Sequence, residues 1–394
     1  MRRASHPGDA GVRTVGVVSV GRADYSYYVP ILRQMQRESA LRVALIVAGM
    51  HLSPQFGLSV ERIEADGFEI ADRIEMLLAS DTPEAVAKSI GLGVLGFAQS
   101  YVRLRPTILL LLGDRFEMLS AAVAALPLGI PIAHIAGGES TEGLIDESVR
   151  HAITKMSHLH FVSTEDYGRR VVQMGEEPWR VTVTGAPSLD NLHRLRLLKR
   201  EEVAQRIECP LDPPPLVVTF HPVTLEAGRA AEHVEELLSA LSAVGRPLVF
   251  TFPNADAEHE IIIERLKAFV ASHRPSCLVT NLGTELYYSL LKYAGAMVGN
   301  SSSGVIEAAS FALPVVNIGV RQRGRIHGAN VVDVACERSA IVGAIRHVCS
   351  DEFQQTLRRS VNIYGDGYAA ARIVDVLRET PIDDRLLMKA FHQL

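Results

Sequence analysis

The sequence lacks the features that define several classes of protein. Its four cysteines in 394 residues lie far apart and form no CxxC pair, which argues against a disulfide framework or a zinc site and is typical of a reducing cytoplasm. No apolar run approaches the roughly 18–20 residues needed to span a bilayer, and the N-terminus has charge but no apolar signal region. A net charge of −5 does not favour nucleic acid or an anionic membrane surface as a partner. We therefore expect a cytoplasmic protein with neither partner.

Common cofactor motifs are also lacking. There is no phosphate-binding P-loop and no HExxH zinc motif. A GxGxxG pattern occurs at 91–96, but it follows a helical segment at 83–90 and not a strand, so we interpret it as part of a glycine-rich helix. We infer that the protein has no dinucleotide cofactor and holds no metal.

The sequence does contain two successive series of strands alternating with helices. Short, continuous apolar runs separated by helical patterns predict parallel sheets that are covered on both faces. The predicted strands are residues 15–20, 41–47, 108–112, 132–134, 159–162 and 181–183, then 216–220, 248–252, 278–280, 296–298 and 315–318. A charged, proline-rich stretch around 195–215 is the best candidate for a linker. We predict α/β domains at 1–195 and 205–370, with terminal helices at 371–394.

The stretch 298–307 (VGNSSSGVIE) predicts a strand, a polar turn and a helix that begins near Val305. Backbone N–H groups at a helix start lack intrahelical partners, and Ser301, Ser302 and Ser303 add hydroxyl donors. Together these groups suit a phosphate or diphosphate. Plain N-capping by serine is an equally good interpretation of this stretch alone.

Other polar residues also come directly after predicted strands, where ligands bind in open α/β sheets. Arg22 suits a phosphate, although a surface arginine is the simpler interpretation. Asp114 is either a carboxylate partly removed from water, able to act as a base, or the N-cap of the next helix. His221 precedes a proline that favours an extended conformation, and it could donate or accept a proton. Glu307 lies four residues after Ser303 and not at the three-residue spacing of a capping box, so it is free to accept hydrogen bonds from ligand hydroxyls.

Three further carboxylates, Glu139, Asp146 and Glu147, lie in one loop and helix start, and Arg150 follows one turn later. A surface ion pair would also explain this spacing.

The sequence resembles the hydrolysing UDP-N-acetylglucosamine 2-epimerases of the sialic-acid and legionaminic-acid pathways. The resemblance extends over nearly the whole chain in order. The matching stretches are GRADYSYYVPIL (21–32), LLGDRFEML (111–119), HIAGGESTEGLIDESVRHAITKMSHLHFVST (134–164), TGAPSLDNL (184–192), TFHPVTLE (219–226), FPNAD (252–256), VGNSSSGVIEAASF (298–311), NIGVRQRGR (317–325) and YGDG (364–367).

The resemblance implies a glycosyltransferase-B-like fold of two Rossmann-like domains, with a nucleotide sugar in the cleft between them and a C-terminal helix returning to the first domain. The N-terminal domain would hold the sugar and the C-terminal domain the nucleotide. It also implies a homo-oligomer, either a dimer or a tetramer. The implied substrate-binding residues are Arg22, Asn254, Ser301, Ser302, Ser303, Glu307 and Arg321. The implied catalytic candidates are Asp114, Glu139, Asp146, Glu147 and His221.

The implied reaction is epimerisation at C-2 with release of the free sugar. A base removes the C-2 proton while the nucleoside diphosphate leaves C-1, and water then adds to the resulting glycal. The first step needs a carboxylate base and a stabilised leaving group, and the second needs an acid, for which His221 or a protonated carboxyl group is suitable. UDP-N-acetylglucosamine is the first expected substrate, giving N-acetylmannosamine. However, relatives that make N-acetylmannosamine often read HIEGGE, whereas this chain has Ala136.

The TEGLIDE stretch is nearer to relatives that act on a UDP- or GDP-linked diacetamido-trideoxy sugar, which leaves that substrate open. Three further functions are compatible with the same fold, because a fold does not determine function. They are those of a non-hydrolysing 2-epimerase, a glycosyltransferase and a catalytically silent nucleotide-sugar-binding protein.

Overall fold

The computed structural model describes residues 11–54, 57–80, 82–142, 145–223, 226, 228–253, 258–280, 282–357 and 359–393. The strands of this part of the chain are β1 Arg13–Ser19, β2 Leu41–Ala48, β3 Ile70–Ile74, β4 Ile108–Leu112, β5 Ile132–Ile135, β6 Leu159–Val162, β7 Val181–Val183, β8 Leu216–Thr219, β9 Leu248–Thr251, β10 Ser276–Val279, β11 Ala296–Gly299, β12 Val315–Ile318 and β13 Val331–Val334.

Helices connect most of these strands. They are α1 Arg22–Met35, α2 Val60–Ala65, α3 Pro83–Leu104, α4 Phe116–Ala125, α5 Asp146–Met156, α6 Glu165–Gln173, α7 Asn191–Arg194, α8 Arg200–Ile207, α9 Ala230–Ser242, α10 His259–Ser272, α11 Gly283–Tyr293, α12 Ser302–Ile306, α13 Arg338–Val348, α14 Asp351–Leu357, α15 Ala369–Glu379 and α16 Asp384–Leu387. Short 3-10 helices occur at Gly49–Leu52, Pro178–Arg180, Pro187–Asp190 and Ala308–Phe311. Within the described ranges, no helix is both long and apolar enough to cross a bilayer.

The chain forms two compact units, which we call unit 1 and unit 2. Unit 1 comprises 1–139, 148–190 and 365–394, and unit 2 comprises 140–147 and 191–364. The unit bounds fall at 190/191 and 364/365, where the sequence predicted 195 and 370. In addition, the short segment 140–147 belongs to unit 2 although the chain on both sides of it belongs to unit 1.

Unit 1 is built on a parallel sheet of seven strands in the order β3-β2-β1-β4-β5-β6-β7. Its central strands are buried along their length because β-branched and leucine residues face a covering layer on both sides. The C-terminal segment is part of this unit, where α15 packs against α1. The core therefore includes Ile373 and Leu377 of α15 together with the strands.

Unit 2 is built on a parallel sheet of six strands in the order β10-β9-β8-β11-β12-β13. Alternate residues of β8 belong to two separate hydrophobic clusters. Leu216 and Val218 pack with one set of helices, and Val217 packs with the other. Since successive side chains of a strand point to opposite faces, both faces of this sheet are covered.

The structure corrects three predictions from the sequence. An edge strand of each sheet, β3 and β13, was missed because its residues are mostly half-buried and include charged side chains, so no continuous apolar run marks it. The supposed linker contains α8, whose Val203 and Ile207 are buried in unit 2. The helix after the serine turn begins at Ser302, not near Val305. The glycine pattern at 91–96 lies inside α3, as predicted.

Candidate active site

The first polar cluster in unit 1 joins the ends of β4 and β5 through Arg150 of α5. Arg150 is only 1% exposed and forms an ion pair with Asp114, which follows β4. Its other terminal nitrogen, Nη1, donates to the carbonyl oxygen of Glu139 at 2.9 Å. Asp114 is not the N-cap of α4, since Arg115 occupies that position. One buried guanidinium group thus links two of the predicted catalytic residues, Asp114 and Glu139. Because Arg150 is buried, its ion pair is not a surface ion pair.

Glu139 itself is held in a buried position by Ser163, which follows β6. Its side chain is 4% exposed, and its carboxylate accepts a hydrogen bond from Ser163 Oγ at 2.7 Å. The turn that leads to Glu139 requires glycine at position 138, where φ is +74° and a Cβ atom would lie 2.4 Å from the carbonyl oxygen of Tyr167. This glycine therefore allows the chain to bring the carboxylate to the end of the sheet.

His134 of β5 stabilises the same cluster through its hydrogen bonds. Its ring is fully buried, and burial lowers its pKa to about 3, so the imidazole is neutral. The neutral tautomer donates from Nε2 to the carbonyl oxygen of Gly113 at 2.8 Å and accepts at Nδ1 from Thr154 Oγ1 at 3.2 Å. His134 thereby fixes the turn that carries Asp114.

A second cluster in unit 1 surrounds the start of α1. Arg22, the predicted phosphate contact, is the exposed first residue of this helix. Asp24 is buried and accepts hydrogen bonds from the N–H groups of Val20 and Gly21, each at 2.7 Å. Burial raises the pKa of Asp24 to about 6 despite those hydrogen bonds. Asp24 therefore titrates close to neutral pH, which the sequence did not indicate.

Ser19 connects Asp24 to a buried histidine. Ser19 Oγ donates to Asp24 at 3.1 Å and receives a hydrogen bond from His51 Nε2 at 2.9 Å, while Ser59 Oγ donates to His51 Nδ1 at 2.7 Å. Burial, followed by the charge of Arg22, lowers the pKa of His51 to about 4. The neutral imidazole and the two hydroxyl groups thus form a continuous chain of hydrogen bonds beneath the first turn of α1.

The remaining predicted carboxylates, Asp146 and Glu147, belong to segment 140–147 of unit 2. Glu147 accepts from Ser140 Oγ at 3.0 Å and from the Thr141 N–H at 2.6 Å. Glu142 N–H donates to the carbonyl oxygen of Arg323 at 3.4 Å. Glu147 therefore organises its own loop within unit 2.

In unit 2, His221 and the serine turn are joined by Asn300. The His221 N–H donates to Asn300 Oδ1 at 2.7 Å, and Asn300 Nδ2 donates back to the His221 carbonyl oxygen at 2.8 Å. Asn300 is fully buried, and the close approach of β11 to β8 requires Gly299, where a Cβ atom would lie 1.9 Å from the Thr219 carbonyl oxygen. Burial and the charge of Arg321 lower the pKa of His221 well below its usual value. The imidazole is therefore neutral, so it carries no imidazolium proton with which to act as the acid that the sequence suggested.

The serine turn, residues 301–303, combines a helix cap with further hydroxyl groups. Ser301 is the N-cap of α12 and accepts from the Ser303 N–H at 3.3 Å, so the capping interpretation is correct for this residue. Since α12 has five residues, its dipole is small and an anion would depend on the hydroxyl and N–H groups themselves. Tyr287 OH donates to Ser303 Oγ at 2.7 Å.

Glu307 and Arg321 lie in the same unit. Glu307 is 6% exposed, and its negative charge is close enough to contribute to the raised pKa of Tyr287, after the larger effect of burial. Arg321 Nη1 donates to the Asn300 carbonyl oxygen at 3.2 Å, as does Gln322 Nε2 at 2.9 Å. Asn254, also predicted to bind substrate, lies outside the described residues.

Sequence reasoning missed the residues that hold the predicted ones in place. Asn300 holds His221, Ser163 holds Glu139, and Tyr287 bonds to Ser303. Gln322 was also missed, and its Oε1 atom is buried without a protein partner among the described residues. Only Asn300 had a local signal, because it stands between the strand-ending glycine and the serines.

The chain is similar to proteins of known activity. A family model described as UDP-N-acetylglucosamine 2-epimerase matches residues 33–378. A GDP/UDP-N,N'-diacetylbacillosamine 2-epimerase (hydrolyzing) of Campylobacter jejuni is 38% identical over 87% of this chain and 89% of its own length. A UDP-N,N'-diacetylbacillosamine 2-epimerase (hydrolyzing) of Legionella pneumophila is 35% identical over 96% of this chain and 99% of its own.

The fold is also similar to solved structures. A UDP-GlcNAc 2-epimerase from Neisseria meningitidis, crystallised with UDP-GlcNAc, superposes with a TM-score of 0.82 at 16% identity, covering 93% of this chain and 100% of that one. The predicted fold class, two Rossmann-like α/β domains of the glycosyltransferase-B type, is confirmed.

Proposed function

The chain belongs to the UDP-N-acetylglucosamine 2-epimerase family, and on that basis we propose that it is a hydrolysing 2-epimerase of nucleotide-linked acetamido sugars. Its products would be a free sugar inverted at C-2 and a nucleoside diphosphate. The observation that carries the proposal is the pair of carboxyl groups of Asp114, held by the buried Arg150, and of Glu139, held by Ser163. Both steps of such a reaction move a proton at C-2, and both need a carboxyl group held in one position.

The proposed first step is elimination. A carboxylate of Asp114 or Glu139 takes the C-2 proton as the C-1–O bond to the diphosphate breaks, and the electron pair of the C–H bond forms the C-1–C-2 double bond. Hydroxyl and N–H groups of Ser301 and Ser302 donate to the departing diphosphate, and Glu307 accepts from the ribose. These neutral donors stabilise the leaving group without first having to be freed from a strong ion pair.

The proposed second step is hydration of the glycal. Water adds its hydroxyl to C-1 while a proton reaches C-2 from the face opposite to the one that lost it. A second protonated carboxyl group, on the face opposite to the base of the first step, supplies this proton, which exchanges with solvent. We assign His221 the role of a neutral hydrogen-bond partner that orients the attacking water, because burial and the charge of Arg321 disfavour its protonated form.

We further propose that the preferred substrate is a UDP- or GDP-linked 2,4-diacetamido-trideoxy sugar. Two observations support this choice over UDP-N-acetylglucosamine. The Campylobacter and Legionella relatives, at 38% and 35% identity, both carry a diacetylbacillosamine epimerase activity in their names. Ala136 also stands where the N-acetylmannosamine-forming relatives often have glutamate. UDP-N-acetylglucosamine is the second candidate substrate, since the family description names it.

Proton NMR in D₂O tests the reaction and the substrate together. The purified protein is given UDP-N-acetylglucosamine, the UDP-linked diacetamido sugar or the GDP-linked one in separate samples. We expect free nucleoside diphosphate and a 2-epimeric sugar with deuterium at C-2, formed fastest from a diacetamido substrate. Release of sugar without deuterium at C-2 would disprove elimination, and return of a nucleotide-linked epimer would indicate the non-hydrolysing reaction. Glu139→Gln should abolish turnover, whereas Glu165→Gln, a change at an exposed glutamate of α6, should not.

A further inference from the structure

Two cysteines that are distant in the sequence meet in unit 2. Cys209 follows α8, just before the segment that enters β8, and Cys277 lies on β10, an edge strand of the sheet. Their thiol groups are in hydrogen-bond contact with each other. Neither residue takes part in the candidate active site, and their sequence spacing gave no sign of a pair.

Contacts with β9 place both side chains against the same part of the sheet. Cys277 pairs with Val249 of β9, and Cys209 Sγ approaches the carbonyl oxygen of Leu248, the residue before Val249, to 4.0 Å. Cys209, Cys277 and Val249 also pack into the same hydrophobic cluster, so all three lie on one face of the sheet. The contact between the two thiols is therefore consistent with the packing of the segment before β8 against β9 and β10.

The pair is also polarised. The Cys277 thiol donates to the Cys209 sulfur, which lowers the pKa of Cys209 and raises that of Cys277. Cys209 is 4% exposed, while Cys277 is partly exposed. By contrast, burial raises the pKa of Cys336 to about 12 and raises that of Cys349. Since the thiolate is the nucleophile, the lowered pKa favours Cys209 as the attacking sulfur of the pair.

We propose that Cys209 and Cys277 form a reversible disulfide when the protein meets hydrogen peroxide. The Cys209 sulfur attacks one peroxide oxygen, the O–O bond breaks, and water leaves with a sulfenic acid on Cys209. The Cys277 sulfur then attacks the sulfenic sulfur, the S–O bond breaks, and a second water leaves. Two thiols are oxidised by two electrons and one peroxide is reduced to two waters.

The crosslink stabilises unit 2 without touching the candidate site. It ties the segment entering β8 to an edge strand that has a neighbour on one side only. Both cysteines lie near the amino ends of the strands, whereas His221 and Asn300 follow the carboxyl ends. The oxidised protein should therefore resist unfolding better, because the crosslink restricts the unfolded chain, while its turnover is unchanged.

The test uses the full chain treated with a small excess of hydrogen peroxide. Thiols are counted with Ellman's reagent in denaturant, the linkage is mapped by mass spectrometry of unreduced peptides, and Tm is measured before and after reduction with dithiothreitol. We expect the count to fall from four to two, a Cys209–Cys277 peptide, and a rise in Tm of several degrees that reduction reverses. Cys209→Ser and Cys277→Ser should each abolish the crosslink and the rise, whereas the matched variant Cys336→Ser/Cys349→Ser should keep both.

Four thiols after treatment would overturn the proposal, as would a linkage that involves Cys336 or Cys349. A loss of thiols that dithiothreitol does not restore would indicate oxidation beyond sulfenic acid and would also overturn it. None of these outcomes depends on the substrate or on the proposed reaction, so failure here leaves the proposed function untouched.

Discussion

The two units carry different chemistry at the ends of similar parallel sheets. In unit 1 the strand ends hold charged and titratable groups, such as the Asp114–Arg150 ion pair and the buried carboxyl of Asp24. In unit 2 the central connector is a neutral carboxamide, Asn300, flanked by serine hydroxyls. One sheet end is thus equipped to hold and move protons, and the other to donate hydrogen bonds. Similar sheets therefore support different chemistry through the loops that follow their strands.

The largest expected effect comes from removing the charge that organises unit 1. Arg150→Met leaves Asp114 without its buried partner and should lower the free energy of unfolding by about 3–5 kcal/mol. It should also lower turnover at least about 100-fold, since proton transfer depends on the position of the carboxyl groups. Urea unfolding and the NMR assay measure the two effects.

A matched control exists in the same unit. Arg180 is also 1% exposed, but it donates to the carbonyl oxygens of Leu386 and Arg385 near the C-terminus. Arg180→Met should therefore destabilise the protein to a similar degree while turnover per folded molecule is kept. Equal losses of turnover in the two variants would mean that Arg150 acts only through stability.

In unit 2 the corresponding change is Asn300→Ala. It leaves the backbone N–H and carbonyl groups of His221 without the carboxamide that pairs with them, which should cost about 2–3 kcal/mol in the free energy of unfolding. Asn330→Ala in the same unit removes one hydrogen bond, to the Leu313 carbonyl oxygen, and should cost about 1 kcal/mol. Only Asn300→Ala should reduce turnover. Full turnover in Asn300→Ala would show that the carboxamide does not position His221.

His134 of unit 1 should contribute strongly to the pH dependence of stability. His134, with a pKa of about 3 in the folded protein against an ordinary value near 6.5, binds its proton only after unfolding between those pH values. Stability is therefore present above pH 6.5 and falls on acidification, by about 2 kcal/mol at pH 5 for this one group. His134→Gln keeps a donor to the Gly113 carbonyl oxygen and should flatten the curve of unfolding free energy against pH by that amount.

Asp24 should act with the opposite sign. Its folded-state pKa of about 6 lies above the ordinary value of 3.8, so the folded state binds more protons in that interval and gains stability as the pH falls. Asp24→Asn should therefore steepen the acid loss between pH 6 and pH 5 by about 1 kcal/mol. An unchanged slope in both variants would show that the acid response arises elsewhere.

The smallest effect concerns the hydroxyl pair beside the serine turn. Tyr287→Phe and Ser303→Ala each remove one partner of the 2.7 Å hydrogen bond. A double-mutant cycle on the free energy of unfolding should give a coupling energy of about 1 kcal/mol. The KM for the nucleotide sugar should rise a few-fold in both single variants. A coupling energy of zero would show that the hydrogen bond between Tyr287 and Ser303 does not stabilise the serine turn.

The sequence predicted much of the fold because buried parallel strands leave a strong local pattern. The strands at 108–112, 159–162, 181–183 and 315–318 have the predicted bounds. The missed strands, β3 and β13, lie at sheet edges, where the half-buried Asp72 and the exposed Asp333 break the apolar run. Local pattern therefore missed the edge strands that carry an aspartate, although it identified the other two edge strands, β7 and β10.

The candidate site was predictable in its residue types but not in its pairings. Asp114, His221 and Ser301 could be singled out because each follows a strand, and strand ends are where α/β proteins bind ligands. Arg150 pairs with Asp114, Asn300 pairs with His221, and Tyr287 pairs with Ser303 of the serine turn. Each partner comes from another part of the chain, so only the tertiary fold reveals these pairings. For the same reason the neutral state of His221 depends on burial and on Arg321, neither of which the local sequence shows.

Segment 140–147 has a consequence for how this protein can evolve by recombination. The segment belongs to unit 2, where Glu142 bonds to Arg323, although it is encoded within unit 1. A chimera made by a single genetic crossover near residue 190 would take this loop from one parent and Arg323, which the loop contacts, from the other. Viable chimeras should therefore be those in which 140–147 is exchanged together with 191–364, so the gene has two halves but not two freely exchangeable modules.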